Sequence, residues 1–263
     1  MRNLFIAAFV AAASLAITSC GSGSNNSEEH SPVMEFRSFD YDVIAQLADA
    51  DSTGVDGSAY CRVSGQGILP EKIGNLDLAL LQDTLTKIAG VIMVDKNLAQ
   101  PALDNDLAIT KKDVSSTEAC SVMVNELSVD LITPQLVVWK DYSYSYPCGA
   151  AHGMYSTTYV NFEVEKGRII TLEDLFGKDY ETKLEGLIRQ KLEEEKVTLL
   201  VEPDEIKVPS DFRITTHSVE FIYSLYEIAP YSEGEIKVEL SRFEIEDLFM
   251  PGVEEMIFGN NFD

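Results

Sequence analysis

Hydrophobic and polar residues alternate along most of the chain, and this alternation predicts β-strands. Successive side chains of a strand point to opposite faces, so a half-buried strand shows an apolar residue at every second position. The clearest case is residues 120–132, after which residues 133–135 predict a turn into a second strand. Alternation predicts strands over residues 33–47, 58–69, 120–132, 136–146, 155–165, 169–170, 212–214, 219–226 and 235–240.

Two stretches show the apolar spacing of amphipathic helices. The first begins after Asn75, which has the position of an N-cap, and ends at Gly90. Its predicted apolar face comprises Leu76, Leu80, Leu85 and Ile88. Residues 98–116 are more polar and predict a loop or a short helix.

The second helix is predicted to start at Thr171, with Asp174 at the spacing of a capping box. Glu185 and Arg189 are four residues apart on its polar side, which favours an ion pair. Its apolar face comprises Tyr180, Leu184, Leu187, Ile188 and Leu192. Residues 243–249 predict a short closing helix.

The order of these elements predicts an α+β fold, with mostly antiparallel sheets and segregated helices. The length and hydrophobic content allow one large domain or two smaller ones packed together. We predict two parts, an N-terminal α+β domain over residues 33–135 and a C-terminal one over residues 136–263.

The first twenty residues predict export and a lipid anchor. Residues 1–19 have one arginine and then an apolar run that is too short for a membrane-spanning helix, as in a signal peptide. The small residues before Cys20 resemble a bacterial lipobox, in which the cysteine is acylated. Residues 20–32 lack a hydrophobic cluster and predict a flexible tether. We therefore expect an extracytoplasmic lipoprotein of the cell envelope, on the outer membrane if the cell has two.

The chain is strongly acidic, with a formal net charge of −24. This charge disfavours nucleic acid and anionic lipid as partners, and it would attract a basic protein. The same net charge is also explained if the acidic residues only keep an exported protein soluble.

The sequence shows no catalytic constellation, so we predict no enzyme activity, no cofactor and no metal. A GxSxG elbow and an HExxH pair are both absent. Asp49, Asp51 and Asp56 suggest a calcium loop only weakly, because the twelve-residue ligand pattern is missing. Export would permit a disulfide among Cys61, Cys120 and Cys148, whose pairing the sequence leaves open.

The segment Ser143–Tyr155, SYSYPCGAAHGMY, is the most distinctive stretch of the chain. His152 either contacts a ligand or braces the turn, with Gly149 and Gly153 supplying unusual dihedral angles. His217 is expected to be an ordinary strand residue. Tyrosines at alternate positions share one strand face, which is typical of a core edge or of a binding surface. The candidate ligand-binding residues are Tyr142, Tyr144, Tyr146, His152 and Tyr155.

Three motifs in this region resemble a known bacterial family. They are residues 146–153 (YPCGAAHG), residues 160–164 (VNFEV) and residues 167–176 (GRIITLEDLF), with a further signature over residues 219–234. This order is similar to the extracytoplasmic domain of the lysozyme-binding anti-sigma factor RsiV and to the non-catalytic module of the peptidoglycan deacetylase PdaC. Ala150 stands where the family has a second glycine, and Glu163 where it has aspartate.

The resemblance implies a binding or sensor protein. The chain shows neither the family's sigma-binding helix nor the deacetylase's metal ligands, so the implied function is recognition of lysozyme, another basic protein or a cell-wall glycan. Two alternatives stay open, a hydrolase of envelope polymers that uses carboxylates and a structural lipoprotein with a protein partner.

Overall fold

The fold is described from a computed structural model of the chain. The structure describes residues 32–46, 60–112, 121–147 and 150–259. The strands within these ranges are β1 (Met34–Gln46), β2 (Tyr60–Ile73), β3 (Ser121–Ile132), β4 (Leu136–Pro147), β5 (Met154–Glu163), β6 (Arg168–Ile169), β7 (Asp211–Ile214), β8 (Ser218–Tyr223) and β9 (Ile236–Ser241). The α-helices are α1 (Ala79–Ala89), α2 (Val91–Val94), α3 (Lys96–Lys112), α4 (Leu172–Phe176), α5 (Glu181–Glu194) and α6 (Val253–Phe258).

These strands form two sheets. Strands β1 to β6 make a six-stranded sheet in sequence order, and β7, β8 and β9 make a three-stranded sheet. All pairs are antiparallel except β2 with β3. A parallel pair needs a crossover connection, and helices α1 to α3 lie within it. The predicted α+β class is confirmed. The large sheet includes strands from both sides of residue 135, and the two-domain division stays a prediction.

The two faces of the large sheet bury two different cores. Leu136 and Val138 pack with the small sheet and with α5, in the core of the C-terminal part. Val137 and Trp139 pack on the opposite face with α1. Because side chains alternate along β4, this one strand supplies both cores, which explains its continuous apolar start.

The side chain of Asn161 joins the two sheets. The residue is buried on β5, its Nδ2 donates to the carbonyl of Phe212 over 2.8 Å, and its Oδ1 accepts from the Ile214 N–H over 2.9 Å. The side-chain amide thus forms hydrogen bonds with the β7 backbone that a neighbouring strand would otherwise form. Because these bonds are long-range and buried, they fix the position of the small sheet relative to β5.

The outer edge of β5 is covered by carboxylates from the small sheet. Strand β6 pairs with only the last two residues of β5. Farther along, the Thr157 N–H donates to Glu235 Oε1 over 2.6 Å, and the Tyr159 N–H donates to Asp211 Oδ1 over 3.1 Å. These bonds satisfy edge donors that would otherwise be open to another strand.

The first predicted helix has the wrong start. Helix α1 begins at Ala79, whose N–H donates to the side chain of Asp77 over 3.0 Å, so Asn75 is not its cap. Leu81 is buried, whereas Leu80 is 67% exposed. Leu81 thus takes the inward position that was predicted for Leu80, while Leu85 is buried as predicted. The two leucines are adjacent, and periodicity alone does not show which one faces inward. Residues predicted as a loop or short helix form the longer α3.

The second predicted helix is interrupted. Thr171 and Asp174 form the predicted capping box, and the Glu185–Arg189 pair is present at 3.6 Å. However, α4 ends before Gly177, and α5 starts only at Glu181. Gly177 and Asp179 both have positive φ, at 78° and 63°, which breaks the helical hydrogen-bond ladder between them.

Two further predictions near the C-terminus are wrong. Residues 243–249 hold a 3₁₀ turn at Glu246–Leu248, and the closing helix is α6. His217 lies in the turn between β7 and β8 and not within a strand, because Thr215 accepts the N–H groups of His217 and Ser218. In the parts of the chain that the structure describes, no helix is long and apolar enough to span a bilayer.

Candidate functional site

An aromatic surface lies where β4 and β5 run beyond the small sheet. Tyr142 and Tyr144 stand opposite Thr157 and Tyr155 in the antiparallel register, so these side chains share one face of the large sheet. Leu136 and Val138 lie on the same face farther back, in the core. The tyrosines therefore extend the buried face of β4 to the end of the large sheet that lies beyond the small sheet.

The connection from β8 to β9 crosses this end of the sheet and adds two more tyrosines. Tyr231 has its ring centroid 4.0 Å from His152 in a stacked arrangement, 5.8 Å from Tyr226 and 6.5 Å from Tyr155. Tyr155 is 6.2 Å from Tyr142. Aromatic pairs at these separations attract one another through their quadrupoles. We call this connected set of rings the aromatic surface, and it consists of Tyr142, His152, Tyr155, Tyr226 and Tyr231.

Hydrogen bonds hold the exposed part of the aromatic surface in one arrangement. The carbonyl of Gly153 accepts from the Tyr231 hydroxyl over 2.9 Å and lies 3.1 Å from His152 Nδ1. Because a carbonyl only accepts, His152 Nδ1 carries the proton. The Tyr226 hydroxyl lies 3.2 Å from His152 Nε2, to which it donates when the imidazole is neutral. His152 therefore braces the turn and is exposed at the surface, and its contact with a ligand stays a prediction.

Tyr226 has a strained backbone. Its φ of 66° is in the left-handed region, and its residue is 47% exposed. Left-handed conformations of residues other than glycine are uncommon and cost about 1 kcal/mol or more. The surrounding bonds maintain this conformation, and it aims a large ring at solvent. Strain of this kind is concentrated at functional positions.

Position 153 requires glycine because a larger residue would not fit there. A Cβ on this residue would lie 2.4 Å from the hydroxyl oxygen of Tyr144. Its φ is not among the positive values, so the prediction that Gly153 supplies an unusual dihedral angle is wrong. Tyr146 also ties down the turn, because its hydroxyl donates to the carbonyl of Ala150 over 3.0 Å. Gly149 lies outside the described residues.

The surroundings of the aromatic surface are acidic. Residues 224–235 contain Glu227, Glu233 and Glu235 and no lysine or arginine, and residues 141–158 also contain no lysine or arginine. The pKa of Tyr142 is raised, first by burial and then by the neighbouring tyrosines and Glu235. Glu235 Oε1 accepts from the N–H of Thr157, which stands opposite Tyr142 in the strand register.

Asp211 lies beside this region, and its surroundings raise the pKa of its carboxyl group. Burial raises its pKa to about 7, the hydrogen bond from the Tyr159 N–H opposes the change, and the charges of Glu235 and Glu227 add to it. However, Asp211 is engaged with backbone groups at the sheet junction. Within the described ranges, no three His, Cys, Asp or Glu side chains are grouped to hold a metal ion.

Other predicted positions are placed as follows. Cys61 is buried and disulfide-bonded, and the remaining cysteines, Cys20 among them, lie outside the described residues. The calcium-loop candidates Asp49, Asp51 and Asp56 also lie outside them.

The sequence did not predict Tyr226 and Tyr231 as site residues. The signal that marks them is the segment 224–234, SLYEIAPYSEG, in which two tyrosines and a proline interrupt the strand pattern.

Comparisons with known proteins agree with this fold. Residues 173–242 match DUF3298, described as a protein family of unknown function. A crystal structure of a DUF3298 family member from Bacteroides fragilis NCTC 9343 has a TM-score of 0.68 and 20% identity, covering 86% of this chain and 98% of its own. One from Pseudomonas aeruginosa PAO1 has a TM-score of 0.56 and 17% identity, covering 84% and 96%. No curated protein matches the chain. These identities establish similarity of fold alone.

Proposed function

We propose that this chain is a lipid-anchored binding protein of the bacterial envelope that captures a basic protein such as lysozyme. The observation that carries the proposal is the aromatic surface, because its rings are connected, braced and partly open to solvent. Tyrosine supplies large contact area at little entropic cost and is enriched among residues that dominate interface energies. The resemblance to the extracytoplasmic family of RsiV and PdaC points to the same class of function.

The charge of the protein supports a basic partner. From Cys20 onward the formal charge is −25, because Arg2 is the only charged residue before it. Such a field accelerates encounter with a cationic protein and is screened by salt. The predicted lipid anchor at Cys20 would keep the binding surface at the membrane, where an envelope-directed protein arrives.

Biolayer interferometry with hen lysozyme, at low and at high salt, tests this function on the full chain in detergent. We expect binding at low salt that weakens as salt increases, and a loss of about tenfold or more in Tyr226→Ala. Phe243→Ala is the matched control, because Phe243 is a 66% exposed aromatic residue at the other end of β9. No binding at low salt would reject the lysozyme proposal.

Parallel assays separate the alternatives. Binding of a chitin oligosaccharide that Tyr226→Ala abolishes, without binding of lysozyme, would identify a glycan-binding protein. Release of muropeptides from purified murein would identify a hydrolase and would contradict the proposal.

A further inference from the structure

Two hydroxyls of the aromatic surface are already hydrogen-bonded and His152 covers one face of the Tyr231 ring, so a partner meets the exposed ring of Tyr226 and the remaining surface of Tyr231. The Tyr231 hydroxyl donates to Gly153, and the Tyr226 hydroxyl is paired with His152 Nε2, to which it donates when the imidazole is neutral. Each hydroxyl has a single proton, so neither donates to a ligand while these bonds persist. The face of an aromatic ring is the negative end of its quadrupole, and it attracts cations.

The acidic side chains near the aromatic surface attract a cation, as the ring faces do. Glu227, Glu233 and Glu235 all belong to the connection that supplies Tyr226 and Tyr231. The Thr157 N–H fixes Glu235 Oε1 next to Tyr142, whose pKa it helps to raise. Residues 141–158 and 224–235 hold no lysine or arginine, and the nearest cation on this face of β4 is Lys140, two positions before Tyr142. An anionic group would be repelled here, and a cation would be stabilised by both ring and carboxylate.

We infer that the aromatic surface receives a lysine or arginine side chain of its partner, with the cation over the ring faces of Tyr226 and Tyr231. The acidic residues of the connection balance its charge. This inference rests on the proposed function, since it names the group that the same surface recognises. It adds a specificity rule, because a neutral side chain of the same shape should bind much more weakly.

Nuclear magnetic resonance of the full chain in detergent tests this rule directly, without a protein partner. The two probes are N-acetyl-arginine amide and N-acetyl-citrulline amide, which have nearly the same shape and differ in charge. We expect saturable shifts of the ring signals of Tyr226, Tyr231 and His152 with the arginine probe. The affinity should be weak, on the order of millimolar, because a single cation–π pair contributes little. The citrulline probe should bind at least about threefold more weakly.

Two variants separate charge recognition from apolar contact. Tyr226→Leu keeps a hydrophobic side chain but removes the ring face, so the preference for arginine over citrulline should fall. Glu235→Gln keeps an oxygen acceptor for the Thr157 N–H and removes the charge, so arginine binding should weaken by about threefold. The control is Glu193→Gln, an exposed carboxylate on α5, which should leave binding unchanged. Amide spectra confirm that each variant is folded.

The outcomes distinguish this inference from the proposed function. Equal shifts with both probes overturn the inference, even if lysozyme binds in the interferometry experiment. A preference for arginine that disappears in Tyr226→Leu supports it, even if lysozyme does not bind, and then the partner is another basic protein. A preference for arginine that Tyr226→Leu leaves unchanged places the cation elsewhere and also overturns the inference.

Discussion

The imidazole ring of His152 stacks on the phenol ring of Tyr231 at a centroid separation of 4.0 Å, and both side chains bond to the carbonyl of Gly153. This contact joins the turn before β5 to the connection between β8 and β9. It therefore links the open ends of the two sheets and gives the aromatic surface its shape.

Removal of the imidazole should destabilise this junction. We expect His152→Ala to lower the free energy of unfolding by about 1–2 kcal/mol, because it loses an aromatic pair and leaves the Tyr226 hydroxyl without its hydrogen-bond partner. Urea denaturation followed by circular dichroism measures the change. His217→Ala is the control, since that histidine is exposed in a turn. An equal effect of the two substitutions would contradict a bracing role for His152.

A methyl group at Gly153 should be poorly tolerated. We expect Gly153→Ala to cost about 1–3 kcal/mol of stability, because the new Cβ would overlap the ring of Tyr144. Gly186→Ala is the matched control. A Cβ at Gly186 meets nothing within 4 Å, and the residue lies inside α5, so this change should stabilise by about 0.5–1 kcal/mol.

A double-mutant cycle identifies the cause of the Gly153 effect. In a Tyr144→Ala background the added methyl has room, so the cost of Gly153→Ala should shrink. A cost that is unchanged in this background would point to the backbone instead of the ring.

Stability should depend on the ionisation of Asp211. Its folded pKa is raised from 3.8 to about 7, so the folded state holds the proton more tightly than the unfolded state. The stabilisation from the proton is fully present below about pH 4 and is lost as the pH rises to about 7. The slope from this group is at most about 1.4 kcal/mol per pH unit.

Asp211→Asn should remove this part of the pH dependence, because an amide stays neutral and its oxygen still accepts the Tyr159 N–H. Urea unfolding of both proteins between about pH 4 and about pH 8 provides the comparison. Parallel stability curves over this window would show that Asp211 does not titrate there.

Reduction should weaken the N-terminal part of the fold. Cys61 is buried and disulfide-bonded, so Cys61→Ala is expected to cost about 2–5 kcal/mol. Thermal unfolding with and without a reductant measures the same loss in the unmodified chain, and peptide mapping without reduction identifies the partner cysteine. An unfolding midpoint that ignores the reductant would contradict a structural role for this bond.

The predicted lipid anchor has its own test. Radiolabelled palmitate should mark the protein in cells, and Cys20→Ser should lose the label and leave the membrane fraction, because the acyl chains supply the membrane affinity. Cys61→Ser should keep the label. An unlabelled protein would end the lipoprotein prediction without affecting the aromatic surface.

Local patterns predicted the framework of the site well. The alternation of residues 136–146 and 155–165 predicted β4 and β5, and it placed Tyr142, Tyr144 and Tyr146 on one face. Strand alternation could be recognised because it repeats every two residues. The sequence did not determine which residues of α1 face inward, because Leu80 and Leu81 are both apolar. Only packing against the large sheet buries Leu81.

The partners of His152 could not be predicted in this way. Tyr226 and Tyr231 lie in a connection without periodicity, and their approach to His152 depends on how the small sheet docks on β5. That docking is fixed by Asn161, whose buried amide bonds to two backbone groups of the other sheet. No spacing rule links an asparagine in one strand to a strand far along the chain.

The sequence by itself therefore determined the α+β class, most strands and a tyrosine face at the end of β4, because burial on one side of a strand leaves a local mark. Tertiary structure alone decided which leucine of α1 is buried, where the second helix breaks, and that two distant tyrosines complete the aromatic surface. These features arise from packing between segments that are far apart in the chain, where each residue's role depends on its neighbours in space.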